Sequence, residues 1–323
     1  MYQMFEEGIK VSKESPMAKF HLGKFAHLAK GDFTLIEARI NFKGLEKIRA
    51  ANPNEKIVYL EIEEPNRFNS WDKAFRREEY ENYFYKIFSL CPYTTKWLNE
   101  KEKSHRRTTI FYPFDEAYIP AKTEKKYDVI YVGNILAGEI ERNVETLRKF
   151  NYRLVADYMP NGAVTDLNVS YEQKLKLISE TKISIVHNVL ILGGRYINAI
   201  QGTKDWEQNA AWREVPRKHW WSLVWNRLSK REYLVPQIKT RMFEAAFARS
   251  LILCRRDPFN EIERFFVPGK EFVYYEDGKL EEKIREILAH YEDYLPIIEN
   301  AFKKATAEYT TKRFFEEFLR DLT

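Results

Sequence analysis

The sequence predicts an α/β protein of two domains with parallel sheets. Three observations carry that reading. At about 100–200 residues per domain, a chain of 323 residues suggests two domains. Short β-branched or aromatic runs alternate with helical stretches along the chain, the pattern of βαβ units. A polar stretch at 117–127, with Pro120 and no apolar period, interrupts the alternation near the middle. It sets an expected boundary between domains 1–120 and 121–323.

The elements follow in order. In the first part, strands are expected at 33–38, 57–62, 86–90 and 108–112, with helices at 42–51, 73–83 and 94–101. Pro53 and Pro92 punctuate the connections. The second part opens with a strand at 128–132 ending in Gly133. A helix at 140–150, a strand at 152–156 and a helix at 170–180 follow, with Ser170 as its N-cap. Then come a strand at 183–187, a helix at 239–248 with Pro236 at its start, a strand at 251–255, a helix at 258–266 and a strand at 271–275. Helices at 279–290, 293–308 and 311–322 close the chain. Two α/β halves imply a cleft, and ligands of open α/β sheets bind beyond the carboxyl ends of the strands.

Composition narrows the class. The chain is 44% apolar and 15% aromatic, with 53 Lys+Arg against 48 Asp+Glu, which excludes a disordered chain. No apolar run reaches the roughly 18–20 residues that span a bilayer. The first residues carry Glu6 and Glu7 where a secretory signal needs a basic start and an apolar core. Cys91 and Cys254 make neither a disulfide framework nor a zinc spacing, so a reducing cytoplasm is expected. Five of the seven tryptophans (206, 212, 220, 221 and 225) fall close together, and residues 204–231 carry seven Lys/Arg against three Asp/Glu. Most of the chain's net charge of +5 therefore sits in one tryptophan-rich stretch within an insertion at about 190–233. Compact α/β connections usually take about 2–6 residues, so this insertion is functional or an extra helical piece. Trp and Arg there suit sugar stacking, a peripheral membrane contact or a homo-oligomer contact. The rest of the chain is too near neutral for a nucleic-acid partner.

Three strand ends in the second half carry candidate chemistry. Gly133 and Asn134 end one strand, with Arg142 on the next helix. Glycine admits close approach of a phosphate and arginine can clamp it; a turn glycine and a solvated arginine are the plainer reading. His187 ends another strand, where it faces a ligand or serves as a satisfied structural residue. Lys239, Thr240 and Arg241 open a helix, where cations are unfavourable without a counter-anion. Glu244 follows among apolar neighbours; it needs partners, either ribose hydroxyls or an ion pair. On the first domain, Glu61, Glu63 and Glu64 mark the end of the strand at 57–62. Glu63 and Glu64 are candidates for the general base an inverting transfer needs, with a solvated acidic loop as the alternative, and His21 and His27 follow them.

The segment KTRMFEAAFARSLILCRRDPFNEIERFFVPGKEFVYYED (239–277), the helix KIREILAHYEDY and YVGNILAGEIERNVETL (131–147) resemble the C-terminal half of group 1 (GT4-like) glycosyltransferases of the GT-B fold. The resemblance covers 128–193 and 234–315. It implies two Rossmann-like domains facing a central cleft, the N-terminal one holding the acceptor and the C-terminal one a nucleotide-sugar donor. It implies Glu244 on the ribose hydroxyls, the Lys239–Arg241 turn near the diphosphate, Gly133, Asn134 and Arg142 beside phosphate or sugar, and His187 near base or phosphates. A UDP- or GDP-sugar donor, a glycan, glycolipid or glycoprotein acceptor and a role in surface-glycan assembly follow, in the cytoplasm or peripherally at the inner membrane face. No cofactor beyond the donor is expected. No Asp-x-Asp pair occurs, in keeping with a metal-free reaction in which cations and helix termini hold the leaving phosphates. The sequence departs from the family pattern at Pro236, where retaining relatives carry a second Glu, and at Arg249-Ser250, where a glycine is usual. Those departures keep a second reading open, a non-catalytic sugar-nucleotide or glycan-binding protein of the same fold.

Overall fold

The computed structural model describes residues 10–12, 19–21, 34–37, 50, 53–54, 56–61, 83–103, 105–111, 113–133, 138–156, 162–192 and 233–320. The expected helices at 42–51 and 73–83 and the tryptophan-rich stretch lie almost wholly outside these residues. The chain divides into two compact units: Met1–Pro113 with Gly194–Gln237 and Thr311–Thr323, and Phe114–Gly193 with Ile238–Thr310.

The first unit contains a four-stranded parallel sheet, in sequence order, of β3 (Thr34–Glu37), β4 (Ile57–Glu61), β5 (Lys86–Ser89) and β6 (Arg107–Thr109). Ile57, Val58, Ile87 and Phe88 are buried, as expected for strands covered on both faces. Before them, β1 (Lys10–Ser12) and β2 (Lys19–His21) form an antiparallel pair that the sequence pattern did not announce. Helix α1 (Pro92–Glu102) starts on Pro92, whose missing N–H costs nothing at that position. It stops at Lys103, which is left-handed at φ 48°. Asn99 then clips the helix to β6, donating to the Arg107 carbonyl at 2.9 Å and accepting its N–H at 3.2 Å. Strand β12 (Tyr233–Pro236) and the terminal helix of the described chain, Thr311–Arg320, also belong to this unit. Phe314 of that helix sets its ring edge-on to Phe111.

The second unit is a six-stranded, all-parallel sheet in the order β14-β13-β10-β7-β8-β9. Its strands are β7 (Tyr127–Val132), β8 (Tyr152–Ala156), β9 (Asp166–Leu167), β10 (Thr181–Val186), β13 (Leu251–Arg255) and β14 (Val273–Tyr275); β11 (Val189–Leu192) follows β10 outside this sheet. The chain builds outward from β7 to β8 and β9 on one side, then returns to β10, β13 and β14 on the other. The strand order therefore reverses between β7 and β10, the crevice position where such sheets take ligands. The core is aliphatic, with Val129, Leu154, Ile183, Leu251, Ile284 and Ile287 almost fully buried.

Helices α2 (Gly138–Leu147), α3 (Tyr171–Ser179), α4 (Arg241–Phe247), α5 (Leu280–Ala289) and α6 (Leu295–Glu308) cover the sheet. Ser170 caps α3, its Oγ accepting the Gln173 N–H at 3.1 Å. At the opposite end of that helix, Lys125 Nζ donates to the carbonyls of Ser179 (2.7 Å), Thr181 (3.0 Å) and Arg249 (2.7 Å). These are carbonyls that a helix end and a strand start leave open, and one ammonium satisfies all three. Burial, then the charges of Arg249 and Lys122, pull the Lys125 pKa down to about 8. Arg249 stands at φ 51° where the family pattern has glycine, and its guanidinium lies 3.4 Å from the Phe302 ring centroid, packing that offsets the left-handed backbone.

Two local expectations fail for visible reasons. Pro236 ends a strand instead of starting a helix; α4 begins only at Arg241, because the Lys239 N–H is taken by Asn188 Oδ1 at 3.2 Å. The helix expected at 258–266 is a single 3-10 turn, Glu261–Arg264. Asp257 Oδ1 captures the N–H groups of Phe259 and Asn260, and Asn260 turns left-handed at φ 51°, so no helix can propagate from Pro258.

Candidate functional site

The carboxyl edge at the β7/β10 reversal gathers most of the expected donor residues. Gly133 ends β7 with φ +142°, a conformation reserved for glycine, and its N–H donates to the Val155 carbonyl at 2.8 Å. The absent side chain is also occupied space. A Cβ on Gly133 would lie 2.5 Å from Nη2 of Arg241, so the guanidinium rests where any other residue would put its Cβ. The same guanidinium carbon lies 4.7 Å from the Tyr131 ring centroid, a cation–π contact that fixes it at the strand end.

His187 follows β10 and is buried among Tyr131 and Tyr275, with its Nε2 2.8 Å from the Tyr275 hydroxyl. Burial first, then the charges of Arg241 and Arg255, push its pKa down to about 3. The ring is therefore neutral at physiological pH, a hydrogen-bonding partner and not a cation. Asn188 holds the turn before α4 through the Lys239 N–H. Thr240 contributes its carbonyl, which accepts from the N–H groups of Phe243 and Glu244, while its side chain makes no cap.

Glu244 lies one turn into α4 and is buried. Its Oε1 accepts from Lys174 Nζ at 2.8 Å, so the buried carboxylate has an ion-pair partner on α3. Its Oε2 makes no hydrogen bond to any described residue. Lys174 is itself seated on the Tyr171 ring, 4.5 Å from its centroid, and Tyr171 meets Tyr118 edge-on.

The structure thus brings Gly133, His187, Lys239, Thr240, Arg241 and Glu244 to one edge of one sheet. Arg142 lies on α2. His21 lies in β2, in the other unit. Asn134, Glu63 and Glu64 lie outside the described residues. Sequence reasoning missed Lys174, Tyr131, Tyr275 and Arg255. Lys174 was within reach, since a helix returning from β9 to β10 starts at the carboxyl edge and Lys174 lies in its second turn. Arg255 ends β13, with Nη2 3.3 Å from an exposed Asp277 carboxylate.

Residues 176–320 match the family model described as "Glycosyl transferase-like". No curated protein matches the sequence. Among solved structures the fold is similar to HepE of Anabaena solved with UDP-glucose, at TM-score 0.54 and 10% identity, covering 89% of this chain and 78% of that one. It is similar to TarM, at TM-score 0.56 and 10% identity, over 97% of this chain and 62% of that one. It is also similar to the pneumococcal O-GlcNAc transferase GtfA in complex with UDP and GlcNAc, at TM-score 0.52 and 10% identity, over 94% and 60%. The chain thus spans less than two thirds of TarM and GtfA. Residues 176–320 thus carry a glycosyl transferase-like domain, and the parallel sheets share the GT-B fold of these solved glycosyltransferases. Among the described residues no helix is long and apolar enough to cross a membrane.

Proposed function

We propose that the chain transfers a sugar from a UDP- or GDP-sugar to a glycan, glycolipid or glycoprotein acceptor in surface-glycan assembly, without a metal ion. In the transfer, the bond from the anomeric carbon to the diphosphate breaks and a bond to an acceptor oxygen forms, while the acceptor's proton leaves. The diphosphate gains negative charge as it departs, and Arg241 with Lys239 offsets it. Gly133, Asn134 and Arg142 line the phosphate or sugar side, and Glu244 takes the ribose hydroxyls. His187 stands behind them as a neutral hydrogen-bonding residue near base or phosphates. The unit Phe114–Gly193 with Ile238–Thr310, most of it within the expected 121–323, serves as the donor domain, and the unit that holds Met1–Pro113, most of the expected 1–120, serves as the acceptor domain. Glu63, Glu64 or His21 supplies the base if the transfer inverts.

One observation carries this reading. The Arg241 guanidinium occupies the Cβ space of Gly133 at the strand-order reversal, with Glu244 one turn further along the same helix. Phosphate-side cation and ribose-side carboxylate are thereby spaced along one element, and UDP is the nucleotide in the HepE and GtfA complexes. A cytoplasmic setting, soluble or peripheral at the inner membrane face, suits the two buried free cysteines. The tryptophan-rich stretch is assigned to the acceptor, to a membrane surface or to a second subunit.

Thermal shifts against UDP-, GDP-, ADP- and dTDP-sugars test the proposal. A specific donor at a hundred times its Kd should stabilise the protein by about 2.7 kcal/mol, and sugar transfer should persist in EDTA. No shift with any donor at millimolar concentration would remove the donor site, and loss of transfer in EDTA would remove the metal-free mechanism.

A further inference from the structure

The Glu244–Lys174 pair is asymmetric. Oε1 is committed to Lys174 Nζ at 2.8 Å, while Oε2 has no hydrogen bond to the described residues. A lone buried carboxylate is free to rotate about its last torsion and to choose its partners. A carboxylate with one oxygen tied to an ammonium presents the other in a fixed direction. The ammonium is fixed in turn. Ser170 sets the start of α3 through its bond to the Gln173 N–H, and the Tyr171 ring supports Nζ at 4.5 Å. Tyr171 is held between Tyr118 (5.5 Å) and Phe114 (6.4 Å). Phe114 stacks on Phe247 of α4 at 3.9 Å, so the same aromatic group ties α3 to the helix that carries Glu244.

We propose that Lys174 is a positioning residue for donor selection: by holding Oε1 of Glu244 it aims Oε2 at the ribose diol, and so sets the preference for ribonucleotides over 2′-deoxyribonucleotides. The proposal rests on the assignment of Glu244 to the ribose. Lys174 acts through Glu244 and touches neither the phosphates nor the reacting carbon. Its loss therefore raises KM for the donor and leaves kcat nearly unchanged. A lysine that merely stabilised the fold would not change the ratio between two nucleotides differing by one hydroxyl.

The test is calorimetric binding of UDP, GDP and their 2′-deoxy counterparts to the full chain and to Lys174→Gln, Lys174→Arg, Glu244→Gln and the Lys174→Gln/Glu244→Gln double variant. In Lys174→Gln the ribose preference should fall about tenfold, the scale of one charged hydrogen bond, with the 2′-deoxy affinity unchanged. Lys174→Arg should restore the preference, since it keeps the charge. In the Glu244→Gln background the lysine substitution should add nothing, the signature of two residues acting as one unit. A full ribose preference in Lys174→Gln overturns the role of Lys174 and leaves Glu244 on the ribose. The absence of any ribose preference in the wild type overturns both. Should Lys174→Gln not fold alone, the double variant, which leaves no charge unpaired, decides against Glu244→Gln: equal preference supports the proposal and unequal preference overturns it.

Discussion

Acidification is expected to destabilise the wild-type protein more steeply than a His187→Gln variant, by up to about 1.4 kcal/mol per pH unit between pH 6.5 and 3. The sign follows from the pKa. His187 titrates at about 3 in the folded chain because it is buried beside Arg241 and Arg255, whereas an exposed histidine titrates near 6.5. Between those values the unfolded chain binds the proton that the folded chain refuses. Stability is therefore fully present above pH 6.5 and is lost as pH falls towards 3. Other groups add their own pH dependence to both proteins, so the quantity to read is the difference between their slopes. Urea unfolding at pH 7, 6, 5 and 4.5 gives it. Glutamine cannot take up the proton and keeps a donor and an acceptor for the Tyr275 hydroxyl. Parallel slopes for the two proteins would mean that His187 is not held neutral by its surroundings.

A smaller effect is expected at Gly133. The Gly133→Ala protein should lose about 1–3 kcal/mol, because φ +142° strains any other residue and the new methyl must displace the Arg241 guanidinium. Guanidinium unfolding reads the loss, and an unchanged midpoint would contradict the tight approach of Arg241.

What was legible in the sequence was whatever depends on short stretches of chain. Buried parallel strands are continuous apolar runs, so VIYV and LILC announced β7 and β13, and Ser170 announced the start of α3 through its own side chain. Glu244 was legible because a carboxylate amid Met, Phe and Ala demands a partner. The identity of that partner was not, since Lys174 lies on another helix and meets Glu244 only through the sheet's crossover. Tyr275 was hidden for the same reason: its bond to His187 spans two strands. The failure at 258–266 was of another kind. The residues there have helical propensity, but one aspartate oxygen takes the first N–H groups before a helical turn can form.

Removal of the Glu244 carboxylate is expected to give the largest functional effect. Glu244→Ala should weaken donor binding about a hundredfold, the scale of two charged hydrogen bonds to vicinal hydroxyls partly replaced by water. It should also cost about 1–2 kcal/mol of stability, because it leaves Lys174 facing an apolar methyl. That cost is below the usual one for a broken buried pair, since Lys174 retains 21% of its side-chain exposure and its contact with the Tyr171 ring. The two losses separate experimentally. Glu244→Gln keeps the shape and one acceptor, so it should recover most of the stability while still binding donor at least tenfold more weakly than wild type. Donor affinity is read by titration at a temperature where both variants are folded, and stability by urea unfolding. If Glu244→Ala bound UDP- and GDP-sugars like the wild type, the buried pair would serve the fold alone, and the ribose contact would have to come from elsewhere on the β7/β10 edge.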